Sequence, residues 1–256
     1  MPKNLNLDIL DYRPGKARGR SVSPPLADVV DDTEWTATLR TVLPHRPYSQ
    51  TLAERIMAVH EGSGWPSMPP IPLLEEVDES EERGAWEQAI VEGVAKWKDD
   101  GADEQHIRTI AERLGERGIL CLLGMRQTPG SVFRPPPDIP SLVRSFNDQH
   151  QKGGKHHPLT VGARALAKHS IRDKSTGWWG EARGGDAEKN AAALKVLLRV
   201  LEGGVWANSH CLPGGLEVFE VRTGEGYGAR WTADGSSFRG FLEPPMVDGH
   251  EKGWHH

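Results

Sequence analysis

The dipeptide Asp234-Gly235 is the strongest local constraint on what this chain can fold into. Both central residues of a two-residue type I′ turn need positive φ, which Asp and Gly tolerate. Strand-like segments flank the dipeptide at 227–231 and 238–242, and the glycine-rich turn 223–226 joins the first of these to another segment at 217–222. The pattern therefore predicts a three-stranded antiparallel meander.

The same turn predicts a register for the meander. Counting outward from it pairs Trp231 with Phe238 and Arg230 with Arg239. Side chains alternate between the faces of a strand. The face predicted to pack on the core carries Val218, Tyr227, Trp231, Phe238 and Leu242. The opposite face carries Phe219, Arg230, Arg239 and Phe241.

Helical spacing of apolar residues dominates the chain before the meander. It predicts helices at 51–60, 83–99, 103–114, 158–172 and 187–201. The apolar run 119–123 is predicted to be a buried strand or core segment. Gly162 and neighbouring alanines make the 158–172 helix small-sided, so we expect another group to approach its backbone closely. The fold class predicted is α+β, a mostly helical N-terminal portion followed by helix, Gly-rich loop, helix and meander.

Composition predicts three regions. Residues 1–32 are basic, Gly- and Pro-broken and poor in apolar spacing, which is typical of a disordered tail. Residues 33–150 are acidic and mostly helical, with Pro-rich connections at 66–72 and 129–140. Residues 151–256 hold most of the eleven His and most of the 29 Gly, so we expect the functional site in this α+β module.

Overall charge and hydropathy exclude some classes of protein. A net charge of -5 and a pI near 6.1 exclude a broadly basic nucleic-acid coat, and do not favour a nucleic-acid partner. No apolar run is long enough to span a bilayer. The two cysteines cannot build a disulfide framework. The prediction is a cytoplasmic or nuclear protein without a membrane segment.

The first functional hypothesis is a binding module or an enzyme for a small anionic ligand, such as a nucleotide or a phosphorylated metabolite. Two arginines opposed across a strand pair repel unless an anion or a carboxylate lies between them. Salt bridges to Glu217 or Glu243 would relieve the repulsion equally well. The candidate anion ligands are Arg222, Arg230 and Arg239, and the candidate stacking residues are Trp178, Trp179 and Phe219. His210, in a predicted loop after Trp206, is the candidate for proton transfer.

Two alternatives stay open, and with them the question of whether the chain is an enzyme. One is a metal-dependent hydrolase, in which His210, Glu243, His250 and His255 lie around a divalent metal and Glu243 acts as base. The other is a non-catalytic protein whose Pro-rich segments, 66–72 and 129–140, bind protein partners. No motif identifies a cofactor.

Overall fold

The computed structural model describes residues 43–44, 48–66, 69–100, 104–150, 159–172 and 176–246. The predicted disordered tail at 1–32 lies outside these residues. His250 and His255, the C-terminal part of the predicted metal site, lie outside them as well.

Within the described residues, helices come first and a sheet follows, which confirms the α+β class. The helices are α1 (Tyr48–His60), α2 (Ser80–Asp100), α3 (Glu104–Leu122), α4 (Ile139–Phe146), α5 (Val161–Arg172) and α6 (Asp186–Glu202). The strands are β1 (Gly204–Cys211), β2 (Glu217–Thr223), β3 (Gly228–Thr232) and β4 (Phe238–Leu242). They form one antiparallel sheet in the order β1-β2-β3-β4. None of the helices described is long and apolar enough to cross a membrane.

The sheet has one strand more than the meander predicted. The segment predicted as a loop around His210 is β1, which starts directly after the end of α6 and pairs along the whole of β2. Its polar residue Asn208 is buried, and its side chain exchanges hydrogen bonds with Thr128 and Ser131. Because these partners lie far away in the chain, the local sequence did not indicate a buried strand.

The outer edge of β1 is covered by residues 126–132, which include a turn at 128–131. Val132 N donates to Ser209 O at 2.8 Å, and Cys211 N donates to Gly130 O at 3.1 Å. The predicted rigid Pro-rich connection therefore begins as a backbone partner of the sheet.

Helix α3 extends beyond its predicted end at residue 114. Gly115 has φ 66° and ψ 179°, which interrupts the helical geometry, and the chain then resumes helical turns. The apolar run 119–123, predicted as a strand or core segment, is core and mostly helical. Periodicity could not decide between strand and helix because the run is buried all round.

Helix α4 was not predicted. Its cap is Asp138, whose side chain accepts a hydrogen bond from Ser141 N at 2.8 Å. Pro140 occupies the first turn, where no backbone donor is required. The prolines before it hid this short helix in the sequence.

One cluster of buried apolar residues joins the helices to the sheet. The predicted stripe Trp86, Ile90 and Val94 on α2 is buried in it. The Phe146 ring lies 4.8 Å from that of Phe238. A Cβ added to Gly162 on α5 would overlap the Phe146 ring, which confirms the close approach predicted for that helix.

The predicted faces of the meander are wrong for β2 and for the end of β4, because Phe219 and Phe241 lie in the core and Val218 and Leu242 lie on the opposite face. Trp231 pairs with Phe238 as predicted, but a bulge places Arg230 opposite Gly240 instead of Arg239. Phe219 pairs directly with Trp231 and is fully buried beside it. A one-residue difference in register exchanges the two faces of a strand. The core face therefore carries Phe219, Val221, Ala229, Trp231, Phe238 and Phe241.

The contact between Gly162 and Phe146 predicts an asymmetric response to alanine. Gly162→Ala should lower the free energy of unfolding by about 1–3 kcal/mol, because the new methyl group overpacks a filled core. Gly84→Ala is the matched control, since it lies in α2 with no atom near its added Cβ. It should raise stability by up to about 1 kcal/mol through helix propensity. Urea unfolding measures both, and equal effects at the two positions would contradict the packing argument.

Candidate functional site

A cleft of about 260 Å³ lies on the sheet face opposite the core. One wall consists of Leu73, Leu74, Glu75, Thr128 and Pro129, and the other of Trp206, His210, Glu220, Arg222 and Arg230. Sites for whole small molecules usually measure about 300–1,000 Å³. The size of the cleft therefore suits one group of a larger substrate.

Strand register places the polar residues of the cleft next to one another. Asn208 on β1 pairs with Glu220 on β2, which pairs with Arg230 on β3. His210 and Arg222 each lie two residues along their strands from this row, so they project from the same face. The sheet thus brings one carboxylate, one imidazole and two guanidinium groups together.

Glu220 is the centre of this cluster, and its side chain is only 3% exposed. Its Oε1 lies 2.9 Å from His210 Nε2 and 2.6 Å from Arg230 Nε, and its Oε2 lies 3.3 Å from Arg222 Nε. Burial raises the pKa of Glu220, but the hydrogen bond with His210 and the charges of Arg222 and Arg230 outweigh burial. The net result is a pKa well below the usual glutamate range. An ionised carboxylate only accepts, so His210 Nε2 carries the proton in this hydrogen bond.

Two of the partners of Glu220 have nitrogen atoms that remain available for hydrogen bonds to a ligand. Nδ1 of His210 has no hydrogen-bond partner among the described residues, and the side chain is 21% exposed. Arg230 is held through Nε, and its Nη1 and Nη2 make no hydrogen bond in this part of the chain. Arg222 is more deeply engaged, since its Nη1 donates to the carbonyl oxygens of Gly226 and Glu243. Proton transfer and anion binding are therefore available from His210 and Arg230.

Glu243, predicted to act with His210, belongs to a different cluster. Its Oε1 lies 2.6 Å from His169 Nδ1, and both of its carboxylate oxygens accept from Trp179 Nε1, at 2.9 and 3.0 Å. The His169 ring also packs on Trp179 at 4.8 Å between centroids. Glu243 does not line the cleft. The structure thus separates the two predicted catalytic residues.

The three residues predicted to stack on a ligand do not line the cleft either. Phe219 and Trp179 are buried in the core. Trp178 stacks on Tyr227 at 4.2 Å with an interplanar angle of 11°, and the Arg199 guanidinium lies 3.7 Å from a Trp178 ring centroid. Their aromatic surfaces are engaged by the protein itself.

Of the three arginines predicted to bind an anion, two line the cleft and one does not. Arg222 and Arg230 line the cleft, whereas Arg239 is the exposed extra residue of the β3–β4 bulge. Because Arg230 does not face Arg239, the predicted repulsion does not arise, and the carboxylate paired with Arg230 is Glu220, not Glu217 or Glu243. In the described part of the chain, no three His, Cys, Asp or Glu side chains group as metal ligands.

Sequence reasoning missed Glu220. Glu220 and Arg222 have the same parity in β2, and the pairing of β2 with β3 aligns Glu220 with Arg230. Counting outward from residues 223–226 pairs Phe219 with Arg230, one residue out of register, because the loop is longer and Arg222 pairs with Gly228. The Trp206 side chain lies on the same face, at the other end of the cleft-facing part of β1.

Residues 148–243 match the family model of the CdiA C-terminal tRNase toxin domain. The match covers less than half of the chain and contains His210, Glu220, Arg222, Arg230 and Trp206. The chain matches no curated protein and no solved structure.

This similarity overturns the functional hypotheses drawn from the sequence. The matched family is described as a nuclease toxin domain that acts on tRNA. Binding of a small anionic ligand was therefore wrong as the leading hypothesis, as was the alternative of a metal-dependent hydrolase. The hypothesis of a non-catalytic interaction protein is contradicted by the same match. The net charge of the whole chain was a poor guide, because it does not report the charge of a single cleft.

Replacing Glu220 tests the electrostatic organisation of the cleft. Glu220→Gln should lower the free energy of unfolding by about 3–5 kcal/mol, because it leaves buried Arg222 without its carboxylate. Glu217→Gln, on the same strand, removes an exposed ion pair with Arg134 and should cost about 0–1 kcal/mol. Chemical denaturation at neutral pH measures both, and equal small losses would contradict a central role for Glu220.

The lowered pKa of Glu220 predicts that its contribution to the free energy of unfolding depends on pH. Because folding lowers the pKa of Glu220, its contribution is complete above the ordinary glutamate pKa of about 4.3. The contribution declines as the pH falls below that value towards the lowered folded pKa. The stability difference between wild type and Glu220→Gln should therefore shrink in acid. A difference that grows below pH 4 would show that the sign of the shift is wrong.

Proposed function

We propose that this chain is an RNA-cleaving enzyme that acts on tRNA, with the cleft as its active site. The observation that carries the proposal is the array of His210, Glu220 and Arg230, which lines the cleft and lies within the segment that matches the tRNase family model. A proton acceptor and a cation are groups that promote phosphodiester cleavage, and Glu220 holds both in position.

The chemistry that these groups support is attack by the ribose 2′-hydroxyl on the adjacent phosphorus. His210 Nδ1 accepts the hydroxyl proton while the bond from the 2′-oxygen to phosphorus forms. The bond from phosphorus to the 5′-oxygen breaks, and the leaving oxygen takes a proton from water. Glu220 stabilises the resulting imidazolium through Nε2, 2.9 Å away. The products are a 2′,3′-cyclic phosphate and a 5′-hydroxyl end.

Arg230 would bind the phosphate that reacts. Its Nε is held by Glu220 at 2.6 Å, so the fork is oriented before a substrate arrives. A guanidinium fork matches two phosphate oxygens and stabilises the charge that develops on them. With one carboxylate and two guanidinium groups, the cluster is net positive even when His210 is neutral. Glu75 also lines the cleft and makes the lining as a whole neutral, so the attraction for a phosphodiester comes from the cluster itself.

Removing the proton acceptor tests the proposal directly. Purified wild-type protein should cut tRNA, and His210→Ala should lower kcat by roughly 10²–10⁴-fold, the usual contribution of general acid–base catalysis. His106→Ala, a histidine on α3 outside the cleft, is the matched control and should retain wild-type activity. Gel analysis of end-labelled tRNA measures the rates. Equal activity of wild type and His210→Ala would remove His210 from the mechanism.

The ends of the products test the reaction itself. A 2′-deoxy nucleotide at the cleaved linkage should abolish cutting there, because the attacking hydroxyl is missing. The other linkages of the same RNA serve as the internal control. Mass spectrometry should find cyclic phosphate and 5′-hydroxyl ends. Cleavage of the 2′-deoxy linkage, or 5′-phosphate ends, would contradict attack by the 2′-oxygen.

If Arg230 binds the phosphate through its guanidinium fork, a lysine at this position should not restore kcat. Arg230→Lys keeps the charge but loses the fork and the bond through Nε, so kcat should fall by roughly 10²–10³-fold. Arg239→Lys, on the exposed bulge of the neighbouring strand, should have no measurable effect. Single-turnover kinetics on tRNA compare the two. Full activity of Arg230→Lys would show that a point charge suffices.

A further inference from the structure

The cleft extends beyond the groups that perform the proposed reaction. Trp206 lies four residues before His210 on β1 and on the same face. At about 3.3 Å per residue, their Cα atoms are roughly 13 Å apart. Both residues line the same cleft. His210 therefore lies toward one end of the cleft and Trp206 toward the other.

Trp206 carries a buried hydrogen-bond donor that no described residue accepts. The side chain is 2% exposed, and its Nε1 has no partner among the described residues. A buried indole N–H normally finds an acceptor, since a buried donor without one costs free energy. This donor is therefore suited to an acceptor brought by a ligand.

Leu73, on the opposite wall, has two features unusual for a leucine. Its side chain is 58% exposed, and its φ of 69° is the one positive value among the described residues other than glycine. A positive φ is sterically unfavourable for a bulky residue, and such strain is concentrated at ligand sites. The strained backbone holds an apolar side chain at the rim of the cleft, where the flat face of a base could cover it.

We infer that Leu73 and Trp206 form a subsite for the base of a nucleotide flanking the cleaved linkage. Trp206 Nε1 donates to an acceptor atom of that base, and Leu73 packs on its face. The inference rests on the proposed function and makes these two residues determinants of substrate preference. They are positioned away from the groups that exchange protons.

Substrate length provides the test. Wild-type protein should cleave a tetraribonucleotide with a higher kcat/KM than a dinucleotide that contains the cleaved linkage alone. In Leu73→Ala and in Trp206→Phe, the ratio of the two kcat/KM values should fall on the order of two- to tenfold, the worth of one contact. Damage to the fold would lower both rates together and leave their ratio unchanged.

Matched controls remove the same chemical groups elsewhere. Ile171→Ala deletes an aliphatic side chain that is 70% exposed on α5, and Trp178→Phe deletes an indole donor bonded to Glu225. Neither residue lines the cleft, so both variants should keep the wild-type ratio. A loss in these controls as large as that in Leu73→Ala would overturn the subsite.

Binding separates failure of the inference from failure of the proposed function. Fluorescence anisotropy with His210→Ala protein should show tighter binding of the labelled tetranucleotide than of the dinucleotide, and this preference should shrink when Leu73→Ala or Trp206→Phe is added. If wild type cleaves RNA while all variants show the same length preference, only the subsite is overturned. If wild type cleaves no RNA, the proposed function is overturned, and an unchanged binding preference overturns the subsite independently.

Discussion

A buried carboxylate is the constraint on which the cleft depends. Glu220 lies in the middle of the sheet, where an ionised group is tolerated only when it is paired and hydrogen-bonded. The surrounding sequence supplies His210, Arg222 and Arg230 at positions that register alone brings together. Each partner is held in place by its hydrogen bond or ion pair with the Glu220 carboxylate. The demands of burying one charge thus align the groups that a phosphodiester would meet.

Local signals predicted the elements whose causes are local. The amphipathic helices and the pair of Trp231 with Phe238 follow from spacing and turn chemistry. The two-residue type I′ turn predicted at Asp234-Gly235 was wrong, because Asp234 does not have positive φ and Thr232 N donates to Ser237 O across a longer loop. The β1 strand could not be predicted in this way, because buried Asn208 finds its partners in residues 128–131. The position of Arg239 was predicted wrongly because the bulge depends on how β3 and β4 pair, which the sequence of either strand alone does not indicate. The candidate site suffered most, since a one-residue error in β2 hid Glu220 and moved Phe219 into the wrong face.

The two histidine–carboxylate pairs show that such a pair does not by itself make a site. His169 and Glu243 are bonded as closely as His210 and Glu220, but Trp179 packs on the imidazole and donates to both carboxylate oxygens. The second pair lines the cleft and shares its carboxylate with Arg230. What distinguishes the second pair is its place in a cleft beside a guanidinium group.

The backbone bonds along the outer edge of β1 have a consequence for how the cleft can vary. Residues 126–132 pair with β1, and Val77 N donates to Gln127 O at 2.9 Å, so both walls belong to one hydrogen-bonded framework. These main-chain bonds do not depend on the identity of the exposed side chains on the walls. An exposed side chain such as Leu73 can therefore be exchanged without loss of the backbone bonds. A framework of this kind allows substrate preference to diversify while the reacting groups stay in place.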